Sequence, residues 1–239
     1  MPMTKSLTVT VREDRERKSV STIGVDLTPT ECPICHTGIL PVDRDLTWLI
    51  KGETYAEQVL QCPNEDCQHF FVARYLRVDS ARYKLDCSVP LEPLVVPQSA
   101  TISKISPDFC AIYAQAEEVD QRGLVLVAGP GYRKALEFLI KDYIVGEFTE
   151  KGKELATKRA TVEKTPQLGT CIANYIKSDQ IREITKRATW LGNDETHYVR
   201  KWEDKDLNDL KKLITLTIHW IEMEKRTAEV MQDMPTGKP

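Results

Sequence analysis

The chain has 239 residues, of which 41% are hydrophobic, and a net charge of −3 at pH 7. That length supports one substantial hydrophobic core and a small second module, and the charge excludes a histone-like polycation. The apolar runs are far shorter than the roughly 20 residues that span a bilayer, and the N-terminal residues lack the apolar stretch of a secretion signal. We therefore expect a soluble, cytoplasmic protein without a membrane contact.

The chain up to about residue 97 has the pattern of β-strands. Polar and apolar residues alternate in QHFFVARYLRV, residues 68–78, as expected for strands with one buried face. Prolines punctuate the following stretch, CSVPLEPLVVPQSATISKISP, which is typical of a connecting segment. We assign residues 1–97 to a β module and residues 98–106 to a linker.

Two pairs of cysteines lie within this β module. CPICHTGIL contains Cys32 and Cys35, QCPNEDCQHFF contains Cys62 and Cys67, and 26 residues separate the two pairs. Paired knuckles of this kind are typical of a zinc ribbon, because Zn²⁺ binds four thiolates in a tetrahedron. A site with four thiolates has no open coordination position, so we expect the zinc to be structural.

Two alternatives stay open at these cysteines. Disulfides are the first, although they are disfavoured in the reducing compartment of a chain without an export signal. In the second, His36 or His69, which follow the two knuckles, replaces a cysteine ligand. Zinc held by four cysteines is the favoured interpretation.

From residue 107 onward, apolar residues recur every three or four positions, which predicts a helical bundle over residues 107–239. The wide apolar face of the last helix predicts that this helix is a central member of the bundle. The overall prediction is a mainly helical α+β protein. The predicted helices are residues 107–121, a helix that includes residues 132–145, a helix with Thr165 as N-cap and Pro166 in its first turn, residues 179–191 and residues 204–231.

The stretch LVLVAGPGYRKALEFLIKDY, residues 124–143, resembles at first a strand, a glycine loop and a helix. A phosphate-binding loop needs a Gly-Lys-Ser/Thr sequence or a G-x-G-x-x-G sequence, and neither is present. The better interpretation is a helical segment interrupted at Pro130, which lacks an amide hydrogen, followed by a helix that starts near Gly131.

Two segments carry a family resemblance: SPDFCAIYAQAEEVDQRGLVLVAGPGYRKALEFLIKDYI, and LGNDETHY at residues 191–198. Over roughly residues 100–225 the chain resembles Domain of Unknown Function family 4145, a prokaryotic and phage family whose members often carry an N-terminal zinc ribbon. The resemblance implies a helical bundle of the HEPN class ("higher eukaryotes and prokaryotes nucleotide-binding"). It also implies a homodimer and a protein partner from a defence system.

The resemblance also implies a candidate catalytic site. Ribonucleases of this class use an arginine that precedes a histidine by five to seven positions, and no arginine stands there before His197. The candidate set is therefore His197 with Asn193 and Arg200. The alternative is that His197 only ties the end of its helix to Glu137 or to a backbone carbonyl.

Positive charge is concentrated in residues 151–187, where nine Lys or Arg residues stand against four acidic residues. This segment could bind the phosphates of RNA or DNA. The alternative is a solvated helical face whose charge is balanced elsewhere in the fold. The candidate nucleic-acid-binding residues are Arg133, Lys134, Lys158, Arg159, Lys186 and Arg187.

The favoured function is a noncatalytic nucleic-acid or protein interaction module of a phage-defence, restriction or mobile-element system. A metal-independent ribonuclease or toxin that uses His197 is one alternative, and a purely structural dimerising partner is another. Buried polar groups need partners. We therefore predict that GYRKALE and LGNDETH face each other, with Arg133 or Glu137 close to Asn193 or His197.

Overall fold

The computed structural model describes residues 5–14, 17–50, 54–94, 96–234 and 237. The chain divides into two compact units, Met1–Leu94 and Val95–Pro239. The described helices contain about twice as many residues as the described strands, which confirms a mixed, mainly helical protein. The N-terminal unit contains the strands, and the C-terminal unit contains the helices.

The N-terminal unit is one curled sheet that closes on itself in the order β1-β2-β6-β5-β4-β3. Consecutive strands pair as antiparallel neighbours from β1 to β2 and from β3 to β6, and short parallel pairings of β1 with β3 and of β2 with β6 complete the ring. The strands are β1 Lys5–Asp14, β2 Arg17–Val25, β3 Val42–Ile50, β4 Tyr55–Gln61, β5 Phe70–Arg77 and β6 Arg82–Val89.

The core of the sheet follows the predicted alternation. Every second residue of β4 is buried, and so are Phe71, Ala73 and Tyr75 of β5, because successive side chains of a strand point to opposite faces. Gln58 is the polar member of this row, and it donates to Asp43 at 2.7 Å and accepts from the Tyr75 hydroxyl at 3.1 Å. The apolar core of this unit is small: Ile23, Val25, Ala56, Leu60, Phe71, Ala73, Tyr75 and Tyr83.

The C-terminal unit is a bundle in which α3 packs against all six other described helices. Nine residues of α3 are buried. Helix α7 buries five residues and contacts α1, α3 and α6, and its Lys211 pairs with Asp120 of α2. This buried face agrees with the prediction that the last helix is a central member of the bundle, although α3 is the helix that contacts all the others. The helices are α1 Ala100–Ile105, α2 Pro107–Gln121, α3 Val125–Gly146, α4 Gly152–Lys164, α5 Leu168–Tyr175, α6 Asp179–Asp194 and α7 Leu207–Asp233.

The predicted bounds of α2 are confirmed, and those of α6 are confirmed to within three residues at its end. Helix α7 begins later than predicted because Asp206 and Asp209 form a capping box there. The predicted start after Thr165 is wrong: Thr165 is the C-cap of α4, and α5 begins at Leu168. Helix α1 lies in the segment expected as a linker, with Ser99 as its N-cap.

The predicted interruption at Pro130 is also wrong, because α3 runs through Pro130 without a break. The surrounding residues Ala128, Gly129 and Tyr132 are buried. A Cβ atom added to Gly129 would come within 2.8 Å of Glu195 Cβ, and one added to Gly131 within 3.0 Å of Ala116 Cβ. The two glycines thus serve close packing against neighbouring segments, and the helix continues through the proline.

Candidate metal centre and cationic cleft

The four cysteines converge at the turns of the closed sheet. Cys32 and Cys35 lie between β2 and β3, while Cys62 and Cys67 lie between β4 and β5. All four sulfur atoms lie within 4.8 Å of one another. The two pairs, which are distant in sequence, therefore form one cluster of metal-binding dimensions.

The distances between the sulfur atoms distinguish a metal site from disulfide bonds. Cys32 Sγ lies 3.9 Å from Cys67 Sγ, and Cys35 Sγ lies 3.8 Å from Cys62 Sγ. A disulfide bond is only about 2.05 Å long, whereas four ligands about 2.3 Å from a central ion form a tetrahedron with edges of about 3.8 Å. The disulfide alternative is therefore wrong for these pairs, and the arrangement fits a tetrahedrally coordinated ion.

Both knuckles use the same backbone turn. The residue after the second cysteine of each knuckle has a positive φ, 57° at His36 and 49° at Gln68, which few non-glycine residues adopt. Each of these residues donates its backbone N–H back into the knuckle, His36 to the Cys32 carbonyl and Gln68 to the Asn64 carbonyl, both at 2.9 Å. The turns thereby point each pair of sulfur atoms toward the same centre.

Donors surround the sulfur atoms. The Ile34 N–H lies 3.5 Å from Cys32 Sγ, and the Asn64 amide lies 3.8 Å from Cys35 Sγ. The Thr37 hydroxyl and backbone lower the pKa of Cys35 to about 6, whereas burial raises the pKa of Cys62 to about 12. Hydrogen bonds of this kind orient thiolate ligands and spread their charge.

The two histidines of the knuckles stand outside the cluster. The His36 ring lies 3.2 Å from the Glu31 carboxylate and 2.6 Å from the Glu92 carbonyl oxygen, so both of its nitrogens are engaged. His69 Nδ1 lies 3.5 Å from Cys67 Sγ, so His69 is a neighbour of the cluster. Among the described residues, the group that could hold a metal ion is therefore the four cysteines.

A cleft of about 660 Å³ opens between α3, α6 and the start of α5 in the helical unit. It brings together residues that are far apart in the sequence, including both candidate motifs. The lining side chains that carry charge or hydrogen-bonding groups include Arg133, Lys134, Glu137, Gln167, Lys186, Asn193 and His197.

The predicted contact between GYRKALE and LGNDETH is confirmed. The Arg133 side chain donates through Nε to Asn193 Oδ1 at 3.1 Å and through a terminal nitrogen to Glu137 at 3.2 Å. Gly192 makes room for this side chain, since a Cβ atom there would lie 2.5 Å from Arg133 Cδ. Arg133 of GYRKALE and Asn193 of LGNDETH are thus the two partners of one hydrogen bond between α3 and α6.

Three of the six candidate nucleic-acid-binding residues line the cleft, namely Arg133, Lys134 and Lys186. Lys186 also pairs with Glu183 at 3.1 Å. Among the described residues, Lys134 is exposed and has no ion-pair partner. The cleft therefore presents positive charge to solvent.

The other three candidates lie elsewhere. Lys158 and Arg159 are on α4, where each pairs with nearby glutamates. Arg187 pairs with Glu183 and lines a neighbouring groove. For these residues, the alternative of a balanced, solvated surface describes the structure better than a convergent site.

The three candidate catalytic residues do not come together. Asn193 and His197 share the cleft, whereas Arg200 pairs with Glu195 at 3.2 Å and donates to the Lys205 carbonyl at 2.7 Å. Arg200 is absent from the cleft lining.

His197 is held through its backbone, whose N–H donates to the Asn193 carbonyl at 2.9 Å. Its ring is exposed and has no hydrogen-bond partner among the described residues. The expected tie of this ring to Glu137 is wrong, because the Glu137 carboxylate pairs with Arg133 and Lys141.

The sequence analysis missed a second feature beside the cleft, the stacked rings of Trp190 and Trp202, whose centroids lie 6.0 Å apart. Asp194, which is almost fully buried, fixes this arrangement by accepting the backbone N–H groups of Lys201 and Trp202 at 2.9 and 2.7 Å. The available sequence signal was an acidic residue directly after Gly-Asn. Its position in the sequence does not predict that it accepts the backbone N–H groups of Lys201 and Trp202.

Comparisons with protein-family models, with curated proteins and with solved structures found no match to this chain. Within the described part of the chain, no helix combines the length and apolar character that crossing a bilayer requires.

Proposed function

We propose that the helical unit binds nucleic acid through the cationic cleft and does not cleave it. The observation that supports this most strongly is the convergence of Arg133, Lys134 and Lys186 with Asn193 and His197 in one cleft. Lysine and arginine bind backbone phosphates as point charges and as hydrogen-bond donors. An amide and an imidazole beside them add hydrogen-bonding groups for a phosphate, a sugar or a base edge.

The start of α5 adds to this character. The first backbone N–H groups of a helix lack intrahelical acceptors, and Gln167 at the N-cap makes no side-chain hydrogen bond to them. Leu168, Gly169 and Thr170 of this turn line the cleft. Because a helix N-terminus carries partial positive charge, it complements the neighbouring lysines.

Lys134→Glu combined with Lys186→Glu tests this proposal. We expect affinity for a short single-stranded oligonucleotide to fall about tenfold or more. The slope of log affinity against log salt should decrease in magnitude by about 1.4, because two phosphate contacts to a single strand are lost. Fluorescence anisotropy at several salt concentrations measures both quantities.

Arg159→Glu is the matched control, since Arg159 is an exposed, ion-paired cation of α4 outside the cleft. It should leave affinity within about twofold, as expected for a charge far from the bound phosphates. Equal weakening by the control would show that net charge, and not the cleft, governs binding.

Ribonuclease activity is the second candidate function, favoured by the exposed His197 ring in the same cleft as the Arg133 guanidinium. Such an enzyme needs an imidazole to move a proton and a cation to hold the phosphate. In this structure Arg133 is already bound to Asn193 and Glu137, which is why binding is the preferred function.

We therefore expect mixed RNA to stay intact when it is incubated with the protein in buffer without added divalent cations. His197→Ala is prepared in parallel, and products are separated on a denaturing gel. Cleavage by the unmodified chain that disappears in His197→Ala would contradict the noncatalytic proposal and establish the ribonuclease.

For the N-terminal unit we propose one structural Zn²⁺ held by Cys32, Cys35, Cys62 and Cys67. The sulfur distances near 3.8 Å support tetrahedral coordination, and a set of four thiolates suits Zn²⁺. The ion would be coordinatively complete, so its contribution is to stability. A zinc-ribbon role for this unit is part of the same proposal.

The biological setting stays a proposal that is supported by the family resemblance alone. It consists of a cytoplasmic HEPN-like homodimer with a protein partner in a phage-defence, restriction or mobile-element system. The four consecutive exposed apolar residues 124–127 are a surface that a second copy would cover.

A further inference from the structure

Next to the cleft, the helical unit has an apolar groove of about 440 Å³, which we call the tryptophan groove. Its walls include the rings of Trp190 and Trp202, which lie nearly parallel at an interplanar angle of 10°. Trp190 is 43% exposed and Trp202 is 41% exposed. The other lining residues are Arg187, Leu191, Lys205, Asp209, Lys212, Leu213 and Leu216.

The two rings are held in place before any ligand binds. Trp190 is on α6, and Trp202 lies in the loop that follows it. Asp194 ties this loop to the end of α6 through the N–H groups of Lys201 and Trp202. A prearranged pair of flat rings lowers the ordering cost of stacking a third ring upon them.

The charges that line the groove are paired locally: Arg187 with Glu183 at 2.8 Å, Lys205 with Asp204 at 3.0 Å and Lys212 with Asp209 at 3.2 Å. Arg187 also lies over the Trp190 ring at 6.0 Å. The positive charge for a phosphate therefore comes from the adjoining cleft, where Lys134 has no ion-pair partner among the described residues. An apolar peptide would gain little from that charge, whereas a nucleotide combines an aromatic face with a phosphate. Aromatic side chains beside cations are the usual platform for unpaired bases.

The groove is continuous with the cleft. Trp190 lines both, and Lys186 in the cleft precedes Arg187 in the groove on the same helix. A strand whose phosphates lie along Lys134 and Lys186 would therefore carry its next base to Trp190.

We propose that the tryptophan groove is a stacking site for an unpaired base of single-stranded nucleic acid. The inference rests on the proposed function, since the cleft supplies the phosphate contacts, and it names the single strand as the ligand class. Stacking tolerates any base, so the site selects single strands over duplexes and has little sequence preference.

The test compares oligothymidylate with an abasic oligomer of the same length, which has the phosphates but no bases. We expect the full chain to bind oligothymidylate more tightly. Trp190→Leu should weaken oligothymidylate binding about tenfold, as expected for one lost base stack, and leave binding of the abasic oligomer unchanged. Trp190→Phe, which keeps a ring, should restore most of the difference.

Phe70→Leu is the matched control, because Phe70 is an exposed ring in the N-terminal unit with Arg44 over it at 5.7 Å. Phe70→Leu should leave the affinity for oligothymidylate and the affinity for the abasic oligomer unchanged. Circular dichroism checks that the helical content of Trp190→Leu is unchanged. Trp202→Leu, on the other wall of the groove, should likewise weaken binding of oligothymidylate and leave binding of the abasic oligomer unchanged.

The outcomes separate the two proposals. Binding of neither oligomer would overturn the proposed function and the stacking site together. Equal binding of both oligomers, or an equal loss for both in Trp190→Leu, would overturn the stacking site alone. An apolar helical peptide that binds the groove while oligothymidylate leaves the tryptophan fluorescence unchanged would assign the groove to a protein partner and likewise overturn it.

Discussion

Removal of the proposed Zn²⁺ is expected to unfold the N-terminal unit and to leave the helical unit folded. The described apolar core of the N-terminal unit has only eight fully buried members, and small domains with such cores depend on a metal or on disulfides. Structural zinc sites contribute on the order of 10 kcal/mol to folding, comparable with the whole stability of a small domain. Cys32→Ser should have the same effect, since Cys32 is completely buried in the cluster.

Elemental analysis of the purified chain should give one Zn²⁺ per chain, and treatment with a strong chelator should abolish one of two thermal unfolding transitions. The remaining transition belongs to the helical unit. Cys87→Ser is the control, because Cys87 lies on β6 of the same unit, is half-buried and stands outside the cluster. Metal-free protein with both transitions intact would contradict the structural role.

The cysteine site was predictable because it depends on spacing. Two short knuckles can bring four sulfur atoms together only within a narrow range of geometries. The closed sheet around them was not predictable, since its closing contacts pair β1 with β3 and β2 with β6. Such pairings depend on the turns and twist of the whole unit, and local alternation does not encode them.

Among the helices, prediction succeeded where an apolar face repeats and failed where it does not. Helix α4 was missed because Val162 is its only fully buried residue, so that it has almost no periodic signal. Proline inside a helix normally interrupts it. At Pro130 the close packing of the flanking Gly129 and Gly131 outweighs this tendency. Local propensity is a weak guide wherever tertiary contacts are this close.

Only some of the contacts in the cleft were predicted from the sequence. The polar residues of GYRKALE and LGNDETH lie on otherwise apolar helices and need hydrogen-bond partners. On this ground the contact of Arg133 with Asn193 was predicted correctly. The same reasoning did not predict that Lys186 lines the same cleft as His197 or that Trp202 stacks on Trp190. The Trp stack depends on the path of the loop that Asp194 holds.

The contact between the two motifs leads to a further expected result: Gly192→Ala should destabilise the helical unit although alanine is the better helix former. The new methyl group would lie 2.5 Å from Arg133 Cδ and 3.2 Å from its Cβ. The arginine cannot easily withdraw, since its guanidinium is held by Asn193 and Glu137. Overpacking typically costs about 1–3 kcal/mol and the helix-propensity gain is about 1 kcal/mol, so a net loss of up to about 2 kcal/mol is expected.

Urea unfolding of the helical unit measures this loss, with Gly146→Ala as the control. Gly146 is the last residue of α3, and an added Cβ there has no neighbour within 4 Å, so its substitution should be neutral or slightly stabilising. In the Arg133→Ala background the loss from Gly192→Ala should shrink, because the Cδ contact is gone. An unchanged loss in that background would show that Gly192 is required for a reason other than the passage of the Arg133 side chain.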